Sequence, residues 1–249
     1  MSRIVGCILI LFFLFSCGHK LTAQKITIAA ASNTKYVIDE LCERFEEESG
    51  IKVEKVYASS GVLATQIVHG APFNLFIAAD TKYPKFLVDK GMALGKPVRY
   101  AKGSLILWSF KSIDLTEGLK SLSSAQIERI GIANPRTAPY GALAEEVLEK
   151  AELLEKVREK LIYGQNVGQV NHYVLQQNVD VGICPKSVLK APGLNYKGHW
   201  IEVNKGQLEQ AMVLTKYGQE NNPELGKQLF DFLLSPQAQK IFAAYGYEI

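Results

Sequence analysis

The sequence predicts an α/β protein, a mostly parallel sheet covered by helices and built as two similar blocks. Three observations predict it. In the first third, short apolar runs alternate with amphipathic stretches of helical length, in the order strand–helix–strand–helix–strand–helix. The middle third repeats that alternation with its own apolar residues. Four of the predicted helices begin directly after a buried strand, on turns of small, polar or glycine residues. The 249 residues suit one large domain or two small ones, and a composition of 47% hydrophobic and 21% charged residues is that of an ordinary globular chain. A net charge of +3 is too small to point to nucleic acid, and no such partner is expected.

The N-terminus stands apart. Arg3 precedes an apolar run over 4–15, long enough for the core of an export signal and short for a membrane-spanning helix. Residues 1–23 are therefore read as an export signal. Two endings fit it. Leu14-Phe15-Ser16-Cys17-Gly18 looks like a lipobox, after which Cys17 would carry lipid and tether the domain to a membrane, while Leu21-Thr22-Ala23 fits ordinary cleavage. Beyond the signal only Cys42 and Cys184 remain, without CxxC or histidine neighbours, and they are expected to be buried as small apolar side chains.

Residues 25–31 form a near-continuous apolar strand, followed by Ser32 and Asn33, both good helix-capping types. A helix over 34–49 puts Val37, Ile38, Leu41 and Phe45 on one face and stops at Gly50. A strand over 51–57 leads into Ser59-Ser60-Gly61, then a short helix closed by Gly70 and Pro72. A strand over 75–79 turns at Asp80 into a helix over 81–90. An apolar strand covers 104–110, and another, 130–133, runs into Ala138-Pro139-Tyr140-Gly141. A helix over 142–160, broken near Ala151, precedes a strand at 161–163 and the turn Asn166-Val167-Gly168. A helix over 169–178 and a strand over 181–184 follow, then strands over 199–203 and 209–215. Asn222-Pro223 and Ser235-Pro236 each start a closing helix, a cap with proline at the first helical position.

In open α/β sheets, ligands sit outside the carboxyl ends of the strands, where these four turns fall. The first N–H groups of a helix lack intrahelical acceptors and carry the positive end of its dipole, so each turn has the local chemistry of an anion site. Arg136, in the turn that runs from Asn134 to Gly141, is the one basic residue in the turns, so the anion would be held by neutral donors. Neutral donors without a carboxylate acceptor suit a fully deprotonated oxyanion better than a protonated phosphate. Catalysis has little support. No GxSxG elbow surrounds Ser60, and His69 lies more than two turns along the same helix, out of reach for a serine hydrolase. No histidine or cysteine pair has metal-ligand spacing, and no cofactor is expected.

The pattern Ala-Ala-Ser-Asn33, Ser59-Ser60-Gly61, the block 66–76, Ala133-Asn134-Pro135, Ala138-Pro139-Tyr140-Gly141 and Asn166-Val167-Gly168-Gln169 resembles the molybdate-binding (ModA-type) periplasmic component of an ABC transporter. The resemblance implies a type II periplasmic binding protein, with lobe 1 from 25–103 and 209–249, lobe 2 from 104–208, and two crossover strands near Ser104 and near 210–214. It implies that the two lobes close over molybdate or tungstate and that the bound ion passes to an ABC permease. Carried over by position, the ligand contacts are Ser32 and Ser60 (hydroxyl and backbone) and the backbone N–H groups of Asn33, Tyr140 and Val167, with Gly61 as an additional donor. One branch of the family uses a tyrosine hydroxyl where this chain has Pro185, which places the chain nearer the branch relying on Tyr140. A monomeric periplasmic protein, anchored if Cys17 is lipidated, is expected. A receptor for sulfate, phosphate or another oxyanion is the rival reading.

Overall fold

The two blocks meet in one continuous sheet. A computed structural model describes residues 24–249, so the export signal at 1–23 and Cys17 lie outside the described residues. Among these residues the strands are β1 (Lys25–Ala31), β2 (Lys52–Ala58), β3 (Leu75–Ile77), β4 (Val98–Ser109), β5 (Ile130–Ala133), β6 (Leu161–Gly164), β7 (Val181–Pro185) and β8 (His199–Leu214). They lie side by side in the order β2-β1-β3-β8-β4-β7-β5-β6. The helices are α1 (Lys35–Ser49), α2 (Ser60–Val68), α3 (Lys82–Asp89), α4 (Pro139–Lys150), α5 (Leu154–Val157), α6 (Val167–Leu175), α7 (Lys216–Asn221), α8 (Pro223–Leu233) and α9 (Pro236–Ala244).

At one end β2, β1 and β3 are parallel, as strand–helix–strand units require. Alternate residues supply two cores there. Ile28, Ala30, Leu75, Ile77 and Met212 face α1, α8 and α9, while Ala29, Phe76, Ala78 and Val213 face α2 and α3. Covering both faces is what makes these strands read as continuous apolar runs. At the other end β5 pairs in parallel with β6 and β7, and a third core gathers Leu107, Trp108, Ile132, Leu148, Val170 and Ile183. Cys42 and Cys184 are free and buried in two different cores, as expected for small apolar side chains.

Strands β4 and β8 run through both halves, antiparallel to each other. The last part of β8 pairs with β3 and the later part of β4 pairs with β7, so the two strands join the halves. Their register slips between Gly103 and Ile106, with Gly103 opposite Leu208 but Leu105 opposite Asn204. The extra β8 residues bulge there, and Gly206 N–H donates to Ser104 Oγ at 2.9 Å.

Three boundaries differ from expectation. Strand β4 starts six residues before 104, because its first part carries exposed Arg99 and Lys102 and lacks an apolar run. The strands expected at 199–203 and 209–215 are one, β8, whose two ends sit in different surroundings and share no single periodicity. The helix expected over 142–160 is α4, α5 and a 3-10 turn at Arg158–Lys160, interrupted at Glu152 with φ of 57°. The closing helices start as predicted, at Pro223 and Pro236, and Ser235 Oγ caps α9 by accepting from Ala238 N–H at 3.2 Å.

Candidate oxyanion site

Four helical starts converge on one small cavity. Its walls are Ala31, Ser32 and Asn33 after β1, Ser59 and Ser60 after β2, Ala79 after β3, Ala138, Pro139 and Tyr140 after β5, and Asn166 and Val167 after β6. All five residues expected as ligand contacts, Ser32, Asn33, Ser60, Tyr140 and Val167, lie in this wall. No charged side chain does. Arg136 lies outside it, on the surface beside Tyr83 and Thr137.

Each contact stands where a helix leaves an N–H without an internal acceptor. Ser60 and Val167 are the first residues of α2 and α6. In α4 the first position is Pro139, which has no N–H, so Tyr140 presents the first donor. Ser32 and Asn33 open a 3-10 turn that continues into α1. At α6 the Asn166 side chain caps the helix by accepting from Gln169 N–H at 3.2 Å, which leaves the earlier Val167 donor uncommitted by the cap.

The side chains sharpen this picture. Ser60, fully buried, accepts from Ala79 N–H through Oγ at 2.9 Å, and its own hydroxyl proton remains to be donated. Ser59 Oγ is buried with no hydrogen-bond partner and does not cap α2. Sequence reasoning named Ser59 as part of the turn but not as a candidate contact. The unsatisfied hydroxyl is the signal that marks it, and only the folded chain shows that signal.

Gly61 is a correction. Its N–H donates to Thr137 O at 2.9 Å, so it ties α2 to the turn before α4 instead of facing the cavity, and Gly61 is absent from the cavity wall. Tyr83 Oη donates to Arg136 O at 3.2 Å beside it. At the back of the cavity Ser187 Oγ and Tyr247 Oη donate to Asn33 O at 3.0 and 2.8 Å. Pro185 ends β7 and supplies no donor to the wall. Burial pushes the Tyr140 hydroxyl well above its usual range and Tyr247 up to about 12, so both stay protonated. Burial also raises the Asp80 carboxyl, from 3.8 to about 6.

The arrangement has no catalytic geometry. Ser60 begins α2 and His69 caps its far end, and no histidine lines the cavity. Among the described residues no group of histidine, cysteine and acidic side chains is placed to hold a metal ion. A neutral cage of helix N-termini between two separately cored halves is the architecture of an anion-binding protein.

The chain belongs to the bacterial extracellular solute-binding protein family, whose model matches residues 26–248. It is 33% identical over 242 residues to the molybdate-binding protein ModA of Azotobacter vinelandii, covering 94% of this chain and 93% of that one. It is 33% identical over 229 residues to ModA of Rhodobacter capsulatus, covering 90% and 88%. The solved structure of the Azotobacter vinelandii periplasmic molybdate-binding protein superposes with a TM-score of 0.83 at 30% identity, covering 90% of this chain and 99% of that one. The expected family and fold class are thereby borne out. The family is one of solute-binding proteins, not enzymes.

Proposed function

We propose that this chain is an extracytoplasmic receptor that captures molybdate, or tungstate of equal charge and nearly equal size, and delivers it to an ABC permease. The observation that carries this is the convergence of four helix N-termini on one cavity without a charged side chain. Such a cage offers donors aimed at a point and no carboxylate to accept a proton. It favours a fully deprotonated tetrahedral dianion over a protonated phosphate, and it leaves size to separate molybdate from sulfate. The relatives named for molybdate support the choice of ion.

In this reading Ser32 and Ser60 donate through hydroxyl and backbone, and Asn33, Tyr140 and Val167 through backbone N–H. The lobes are residues 25–103 with 209–249, and 104–208, hinged where the register of β4 and β8 slips. The mature protein acts as a monomer outside the cytoplasm, and lipid on Cys17 would be its one membrane anchor.

Calorimetric titration of the purified protein with molybdate, tungstate, sulfate and phosphate tests the proposal. Molybdate and tungstate are expected to saturate one site, with sulfate and phosphate far weaker. Sulfate binding as tightly as molybdate would overturn the choice of ion.

A further inference from the structure

Gln210 lies fully buried on β8, its backbone in register with Ala101 of β4. Its amide meets three partners. Oε1 accepts from Asn33 Nδ2 at 2.8 Å and from the Tyr100 hydroxyl at 2.9 Å, while Nε2 donates to the Tyr140 hydroxyl at 3.0 Å. In this arrangement Asn33 and Gln210 meet amide to amide, one donating and the other accepting. Asn33 and Tyr140 reach the cavity from opposite halves of the molecule, and one side chain grips both.

The surroundings are shaped for this link. A Cβ on Gly103 would stand 1.9 Å from the Tyr140 hydroxyl and 2.4 Å from Gln210 Nε2. Any other residue at 103 would occupy the space the Gln210–Tyr140 bond uses. The single Tyr100 hydroxyl proton is shared between Gln210 Oε1 and Ala78 O, each at 2.9 Å, and Asn33 Nδ2 also donates to Tyr247 Oη at 3.2 Å, so the amide sits inside a continuous buried network. Gln210 itself does not line the cavity.

We propose that Gln210 is a positioning residue, which pins Asn33 to Tyr140 across the crossover strands and so holds the two halves of the oxyanion cage in register when they close. The inference rests on the receptor reading above and adds what aligns its two lobes. Directional hydrogen bonds from one amide fix a relative position that apolar packing would leave free to slide. A residue that acts only in the closed state is felt in ligand release and leaves capture unchanged.

Stopped-flow kinetics of molybdate binding to the full mature chain tests it. Gln210→Met and Tyr140→Phe are each expected to raise the dissociation rate roughly ten-fold with the association rate within about two-fold of the parent. The double variant should be no worse than Gln210→Met alone, because both changes break the same bond. Gln210→Glu carries a signature that a purely structural role would not. Ionised, it can only accept, so the bond to the Tyr140 hydroxyl must reverse its direction, and it sets a negative charge behind the anion. Its affinity should recover as pH falls from about 9 to about 6, with no such trend in the parent. An unchanged dissociation rate in folded Gln210→Met, or effects that multiply in the double variant, would overturn the proposal. If Gln210→Met does not fold, Tyr140→Phe decides alone, and an unchanged rate there overturns it. A parent protein that binds none of the four oxyanions overturns the receptor reading together with this one, whereas a parent that binds molybdate beside unaffected variants overturns this one only.

Discussion

Ser59 and Ser60 are neighbours with the same hydroxyl and opposite expected effects. Ser60 Oγ satisfies the Ala79 N–H, so Ser60→Ala leaves a buried donor without a partner and should lower the stability of the ligand-free protein by about 1–3 kcal/mol. Ser59 Oγ satisfies nothing, so Ser59→Ala should leave that stability unchanged or raise it. Thermal melts of the two variants side by side check this, and a Ser59→Ala protein that melts well below the parent would contradict it. In the same samples Ser60→Ala should weaken molybdate binding by roughly ten-fold or more, the size of a hydrogen bond to a charged group. Asp80 gives a second test at this scale. Its pKa is raised by burial from 3.8 to about 6, so between those values the folded state holds the proton that the unfolded chain releases. Its contribution to stability is therefore present below about pH 4 and is lost as pH rises through about 6. Asp80→Asn should flatten that part of the stability–pH curve measured by urea unfolding, since the amide oxygen still accepts from Tyr83 N–H, which Asp80 does at 3.1 Å. Candidate contacts were legible residue by residue because each sits at a helix start, and small polar turn residues mark helix starts in sequence. Ser59 and Gln210 were not, because an unsatisfied hydroxyl and a three-way amide exist only after folding.

At the scale of elements, the start of α2 shows why a glycine stands at 61. A Cβ there would lie 2.5 Å from the Tyr83 hydroxyl and 2.9 Å from Thr137 O, the same carbonyl that Gly61 N–H binds. The requirement is for space between α2 and the turn before α4. Gly61→Ala is therefore expected to split stability from function. In an open form the Tyr83 hydroxyl is released from Arg136 O and its side chain can turn aside, so an alanine costs little there, and reduced freedom of the unfolded chain favours it by up to about 1 kcal/mol. The closed form has no room for the methyl group, so the rim should stand ajar and molybdate affinity fall about ten-fold. Calorimetry and small-angle scattering with saturating molybdate read both effects, and a variant that binds and closes like the parent would sink the argument. The crossover strands illustrate what sequence patterning misses among elements. Parallel strands buried on both faces announce themselves as apolar runs, as β1 and β3 do. Strand β8 passes from one half to the other, with exposed Lys205 and Gln207 close to buried Ala211 and Met212. No single period describes such a strand, and its 16 residues read as two.

For the whole molecule, the consequence of a cage without charged side chains is a specific dependence on salt. A receptor that grips an anion with lysine or arginine loses affinity as ionic strength rises, because exposed charges are screened over a Debye length of about 10 Å at 0.1 M. Here the donors are N–H groups and hydroxyls in walls between buried cores, and their field acts at contact distance with no water between. Salt has little to screen once the lobes are shut. What remains is the attraction between a dianion and a protein carrying only +3 overall, felt during approach and weakened by ions. The dissociation rate for molybdate should therefore hold constant between about 0.05 and 0.5 M sodium chloride, while the association rate falls by a few-fold at most. Stopped-flow measurements across that range separate the two. A dissociation rate that climbs steeply with salt would mean that a charged side chain holds the ion, and Arg136, the one basic residue in the four turns, would then be the residue to replace.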